Sequence, residues 1–224
     1  MRRTVLAAAL SVGLAATGVL GLDAAPAQAA TMPASVRAQY DHQYGTFTPF
    51  TKSGHRDATI VLPQNARSGI MLATFTPASA DAPDFEVAEL LSNGTLVDAP
   101  VFLSGTYRGR VAYGTDSWRK PAALRVTGTG QWTLRFSPVS SAPALTSSGH
   151  GDNVMLYWGA TTTRQFTCAA NKQTGCLLRE TLLRNDYETI LAHDDEGRGG
   201  SKRVTLTSGP SVLQVNEGGD WSLR

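Results

Sequence analysis

The chain has 224 residues, 42% hydrophobic and 17% charged, with two cysteines and a formal net charge of +2. This length accommodates one or two domains, and the composition excludes a disordered chain, a coiled coil and a disulfide-dense mini-scaffold. A net charge this small gives no general pull toward nucleic acid or anionic lipid, so no nucleic-acid partner is expected.

Residues 1–29 have the three-part layout of a secretory signal peptide. Arg2 and Arg3 supply the positive start, residues 5–22 an uncharged stretch rich in Ala and Leu, and Ala27-Gln28-Ala29 the small-residue cleavage pattern after Pro26. Cleavage after Ala29 removes Arg2, Arg3 and Asp23 and leaves 195 of the 224 residues at a net charge of +1. No later run of apolar residues reaches the eighteen or so that a spanning helix needs. The expected location is therefore secreted and extracellular, with no membrane attachment after cleavage.

Residues 30–45 form an N-terminal arm, with a short helical or irregular stretch over 36–44. From there a pattern occurs twice. Phe50-Thr51-Lys52-Ser53-Gly54-His55-Arg56-Asp57 recurs as Leu145-Thr146-Ser147-Ser148-Gly149-His150-Gly151-Asp152. Phe75-Thr76 recurs as Phe166-Thr167, Leu90-Leu91-Ser92-Asn93 as Leu182-Leu183-Arg184-Asn185, and Arg110-Val111 as Arg203-Val204. Gly130-Gln131-Trp132-Thr133-Leu134-Arg135 recurs as Gly219-Asp220-Trp221-Ser222-Leu223-Arg224. Matches that keep their order at a nearly constant offset mark an internal repeat. They divide the chain into two homologous domains, 46–139 and 140–224, joined through the Pro- and Ser-rich segment 137–143, which has the composition of a short linker.

Within the first copy, short apolar runs predict strands over 58–62, 69–76, 85–91, 107–113, 124–128 and 132–136. In the last of these, Trp132, Leu134 and Phe136 share one face, as a half-buried antiparallel strand requires. Ser92-Asn93-Gly94-Thr95 predicts a tight type I′ hairpin turn. Residues 177–191 could pass for an amphipathic helix, but their alignment with 85–97 predicts strand, turn, strand. The fold class expected is all-β, as two tandem antiparallel β-sandwich, jelly-roll-like domains after a signal peptide.

The pattern Ser-Gly-x-x-Asp, then a Phe-Thr strand, then Gly-x-Trp-(Thr/Ser)-Leu-Arg resembles the small β-sandwich repeats of exported proteins from high-GC Gram-positive bacteria, where the repeat often occurs in tandem. The resemblance covers nearly all of residues 46–224. It implies modules of jelly-roll or pre-peptidase type in outline, and it brings no activity and no catalytic residue set with it.

The candidate chemistry is sparse. A His two residues from an Asp, as in His55/Asp57 and His150/Asp152, suits a general base or a metal ligand. The same residues also make a turn, with Gly bending the chain and Asp accepting from nearby backbone. Asp194, Asp195 and Glu196 form an acidic loop cluster with the oxygen chemistry of a Ca²⁺ site, although such a run also serves as a solvated loop. Glu86 and Glu89 have no readable partner as a glycosidase pair. No serine-nucleophile elbow, zinc helix or phosphate loop occurs. In an exported chain, Cys168 and Cys176 predict one disulfide stapling a hairpin whose counterpart, 77–84, relies on two prolines. Trp132 and Trp221 occupy equivalent positions and predict core. Trp118, in a polar loop, is the candidate exposed aromatic, and with Tyr107 or Tyr113 it could stack on a sugar ring or grip a partner.

With no catalytic set readable, the leading expectation is a secreted, non-catalytic binding or structural protein contacting carbohydrate or another cell-envelope component. The alternatives are a secreted hydrolase with a site near His55/Asp57 or His150/Asp152, and a protein-binding factor such as a secreted protease inhibitor.

Overall fold

The structure is a computed structural model and describes residues 31–115, 119–169, 175–185, 187–194 and 196–224. The expected signal peptide of residues 1–29, Trp118 and Asp195 lie outside the described residues. Among the described residues there are one α-helix, α1 (Ala34–Tyr44), and sixteen strands. Eight belong to the first repeat: β1 (Phe50–Gly54), β2 (Ala58–Val61), β3 (Gly69–Pro77), β4 (Phe85–Leu90), β5 (Leu96–Leu103), β6 (Tyr107–Tyr113), β7 (Ala123–Thr127) and β8 (Gly130–Ser137). Eight belong to the second: β9 (Ser148–His150), β10 (Asn153–Tyr157), β11 (Thr162–Cys168), β12 (Cys176–Leu182), β13 (Tyr187–Asp194), β14 (Gly200–Leu206), β15 (Ser211–Glu217) and β16 (Asp220–Leu223).

The first eight make two four-stranded sheets in the orders β1-β8-β3-β6 and β2-β7-β4-β5, and the second eight repeat these as β9-β16-β11-β14 and β10-β15-β12-β13. All strand–strand ladders are antiparallel. Each domain is thus an eight-stranded double-sheet sandwich of jelly-roll strand order. Alternation drives the layering. Along β8, Trp132, Leu134 and Phe136 are buried while Gln131 and Arg135 are exposed, so one face of the strand closes the core as its sequence demands. Each domain has its own apolar core: Phe75, Phe85, Trp132 and Phe136 anchor the first, and Met155, Phe166, Leu178 and Trp221 the second.

The strands absent from the sequence reading are β1 and β5. β1 is mostly exposed along Phe-Thr-Lys-Ser-Gly, and β5 lacks alternation and carries Pro100. Both are edge strands, where Pro and exposed polar residues are tolerated. Residues 177–191 are strand, turn, strand, as the alignment predicts. The 92–95 turn differs from a two-residue type I′ turn. Gly94 N–H bonds to the Leu91 carbonyl and Leu91 N–H to the Thr95 carbonyl, which leaves a three-residue loop. Its last residue, Gly94, takes the positive φ of +81°.

The cross-strand registers also correct the alignment of the copies. Trp132 pairs with Phe75, whereas its counterpart Trp221 pairs with Cys168. Phe75 therefore corresponds to Cys168, two residues from the Phe166 that local similarity suggests, and Phe166 stands where the first copy has Ala73. Likewise Val87 and Leu178 face Val126 and Val215, which makes Phe85 the counterpart of Cys176.

A third apolar cluster joins the domains. It contains Tyr40 and Tyr44 of α1, Ile70 and Ala112 of the first domain, Val139 and Ala142 of the connector, and Val154, Leu156 and Val212 of the second domain. Val36, Tyr40 and Tyr44 of α1 recur every four residues and form one stripe, which Met32 just before the helix extends. An eleven-residue helix is marginal alone, so this burial holds it. The Tyr40 hydroxyl lies 2.8 Å from the Ser211 carbonyl and 3.1 Å from the Tyr157 carbonyl, and Arg37 donates to the Ser140 carbonyl at 2.9 Å. The connector is packed rather than loose, since Val139 and Ser140 are buried.

Candidate functional site

The duplicated Ser-Gly-His motif resolves first into structure. A Cβ on Gly54 would lie 2.3 Å from Cζ2 of Trp132, and one on Gly149 2.3 Å from Cζ2 of Trp221. The glycines let each indole lie flat on the neighbouring edge strand. Each indole Nε1–H then donates at 3.0 Å to the loop that follows, to the Arg56 carbonyl in one copy and the Gly151 carbonyl in the other.

His55 and Asp57 do not pair. The His55 ring accepts from Arg56 Nε at 3.3 Å, while Asp57 accepts the Gly128 N–H at 2.9 Å. In the second copy the two residues separate further. His150 Nδ1 lies 2.8 Å from Asp220 Oδ1 in an exposed pair, and the Asp152 carboxylate turns to the first domain, where the Tyr107 hydroxyl donates to it at 2.5 Å.

That contact belongs to a seam along β6, the edge strand of its sheet. Residues 108, 110 and 112 point away from the core that Val111 and Tyr113 fill. The N–H of Arg110 donates to the Asp152 carbonyl at 2.9 Å, and the N–H of Ala112 to the Gln214 side chain at 3.4 Å. The second domain thereby caps the free backbone donors of β6, which an open edge would leave to stray pairing. Burial, reinforced by the Asp152 charge, holds the Tyr107 phenol far above its ordinary pKa, so it stays a hydrogen-bond donor.

Beside the seam a cleft of about 1080 Å³ opens between the domains. The first domain lines it with Phe102 of β5 and with Tyr107, Arg108 and Arg110 of β6; the second contributes His150, Asp152, Asn153, Arg179, His193 and Asn216. A smaller cavity of about 410 Å³ adjoins it, sharing Pro100, Arg179 and Asn216 as walls. Arg110 donates to Asn153 Oδ1 at 2.8 Å across the domains, and Arg179 to Asn216 Oδ1 at 3.4 Å. Burial lowers the pKa of Arg110. Phe102, 63% exposed, stands on the rim.

Of the residues singled out in the sequence, the fold brings Tyr107, His150 and Asp152 to this cleft and leaves His55 and Asp57 outside it. Tyr113 is buried, donates to the Ala66 carbonyl and is part of the first core. Asp194 reaches the cleft, but its carboxylate accepts the N–H of Glu196 and that of Gly199, while Glu196 pairs with Arg198. Among the described residues no group of three or more His, Cys, Asp or Glu is placed to hold a metal ion.

The disulfide Cys168–Cys176 is present. It joins β11 to β12, which lie in opposite sheets, so it links the two layers of the sandwich and staples no hairpin. Glu86 pairs with Arg125 at 3.1 Å. Glu89 and its counterpart Glu180 are buried carboxylates with one structural job: each accepts the first N–H after the sixth strand of its domain, Gly114 or Thr207.

Phe102, Arg108, Arg110, Arg179 and Asn216 were missed in the sequence. A signal was available for Phe102 and His193, which share one position of the repeat but differ in type. The arginines carried none, because their importance comes from the docking of two distant strands. The fold and site define a tandem jelly-roll protein with a polar interdomain cleft. No protein-family model matches the chain, and no curated protein compared with it matches at a significant level.

Proposed function

We propose that the chain is an exported, non-catalytic binding protein that holds a carbohydrate or other polar polymer of the cell envelope in the interdomain cleft. The observation that carries this reading is the pairing of an exposed aromatic, Phe102, with a field of guanidinium and amide groups from both domains around one open cleft. Sugars are bound in this way: an apolar ring face stacks on an aromatic, and hydroxyls exchange hydrogen bonds with planar polar side chains. Export is supported by the leader pattern of residues 1–29 and by the disulfide, which persists in oxidising compartments. No helix among the described residues is long and apolar enough to cross a membrane. The resemblance to exported tandem repeats points the same way.

A hydrolase is the second reading, favoured by His150 and His193 lining the same cleft. The available cleft serine, Ser104, donates to Asp84 rather than to a histidine, which favours binding over turnover. The test is co-sedimentation of residues 30–224 with purified envelope polysaccharide, with reducing ends measured in parallel. Retention that Phe102→Ala weakens about tenfold, without new reducing ends, supports the reading; release of reducing ends transfers the cleft to the hydrolase.

A further inference from the structure

We infer that the ligand of this cleft is anionic, an extended polymer bearing carboxylate or phosphate groups; the inference rests on the cleft being the binding site. Three arginines line it, Arg108, Arg110 and Arg179, against two carboxylates, Asp152 and Asp194. The two carboxylates keep their charge, but their oxygens already accept donors from the protein. Asp152 accepts the Tyr107 hydroxyl, and Asp194 accepts backbone N–H groups of its own loop.

The arginines are not neutralised by them. Arg108 is exposed and makes no ion pair among the described residues, and Arg110 is half-buried with the neutral oxygen of Asn153 as its partner. Arg179 meets Glu188 only at 3.5 Å, and its Nε–H is buried without a partner. Arg110, half-buried beside a neutral amide oxygen, gains most from an incoming counter-charge, and a guanidinium offers its forked donors to carboxylate and phosphate alike. Arg108 and Arg110 lie two residues apart on β6 and project from one face. Arg179 continues the row where the smaller cavity joins the larger. The smaller cavity beyond is lined by Glu89, Asp98 and Glu188 beside Arg119 and Arg179, so the basic surface is that of the larger cleft, where three guanidiniums suit repeated charges on a chain better than a single ion.

The experiment uses residues 30–224 and three probes of matched length: a neutral glucan oligomer, an oligogalacturonate and a polyphosphate. Binding is followed by calorimetry at low and high salt, for the native protein and for Arg108→Gln, Phe102→Ala and Arg203→Gln, the last an exposed arginine of β14 outside the cleft. At least one charged probe is expected to bind about tenfold more tightly than the glucan and to weaken with salt. Arg108→Gln should cost about tenfold on that probe, and Arg203→Gln nothing. The carboxylate and phosphate arms identify which group is preferred. Equal affinity for the glucan, or an equal loss in Arg203→Gln, overturns the anionic assignment. Binding that Phe102→Ala leaves unchanged overturns the cleft itself, and with it both readings.

Discussion

Phe75 and Phe85 stack face to face, with ring centroids 4.3 Å apart and planes within 5°, at the two positions where the second domain carries Cys168 and Cys176. The same junction between sheets is closed by an aromatic pair in one copy and by a covalent bond in the other. Both sit beside the indole that the two copies share, since Trp132 pairs with Phe75 and Trp221 with Cys168. Losing the disulfide, by reduction or by Cys168→Ser with Cys176→Ser, should therefore destabilise the second domain by about 2–3 kcal/mol. Phe85→Ala should cost the first domain about 3–5 kcal/mol. Urea unfolding followed by hydrogen exchange, which separates the domains, checks both. Equal loss in the two domains on reduction would contradict the assignment.

Gly54 and Gly149 are required by the indoles that lie on them. Gly54→Ala or Gly149→Ala must displace a buried tryptophan ring and should cost about 1–3 kcal/mol, in the domain that carries the change. Removing residues 221–224 should do more to the second domain, because β16 lies between β11 and β9 and buries Trp221 and Leu223. A thermal melt of each variant reports the loss, and an unchanged melt would show that the ring has another place to go.

Much of the fold was legible because the signals were local or duplicated. Trp132, Leu134 and Phe136 announce an inner face, and the Gly-Trp spacing announces two copies. The slip at Phe166 shows where this fails: Phe-Thr matched Phe-Thr along the chain, but only the pairing with Trp221 reveals that Cys168 is the true counterpart of Phe75. The cleft was less legible for a related reason. Arg108, Arg179 and Asn216 come together through the docking of β6 against the second domain, and no periodicity encodes docking between domains. The exposed aromatic was sought at Trp118, outside the described residues, while Phe102 lay on an edge strand that the sequence reading lacked.

The seam turns on Gly109. A Cβ there would lie 2.2 Å from the Tyr107 hydroxyl and 2.9 Å from Cβ of Asp152. Gly109→Ala should break the Tyr107–Asp152 bond and loosen the domains at a cost of about 1–3 kcal/mol, with both cores intact. Small-angle scattering should show a larger radius of gyration than for the native protein; an unchanged profile would mean that α1 and the connector alone fix the arrangement. In β14, the strand equivalent to β6, the position of Gly109 is held by Lys202. A lysine on an edge strand discourages pairing, so the second domain guards with charge the edge that the first covers with its neighbour.

Alkaline pH should unfold the protein by a defined route. Burial holds the phenols of Tyr40, Tyr107 and Tyr113 above their ordinary value, while in the unfolded chain they ionise near pH 10. Their contribution is complete below about pH 10 and is lost as pH rises beyond it, because the unfolded chain gives up protons that the fold retains. Urea midpoints should fall above pH 10, and Tyr107→Phe should make that fall shallower. A midpoint that rises with pH in this range would contradict the burial of these groups.

A polymer lying in the cleft shields the strands that line it from solvent. Hydrogen exchange of residues 30–224, with and without the envelope polysaccharide that they sediment with, tests this most directly. The prediction is slowed exchange along β5 and β6 of the first domain and β12 and β13 of the second, with β1, β2 and β14 unaffected. Protection confined to one domain, or centred on β1, β2 or β14, would contradict it.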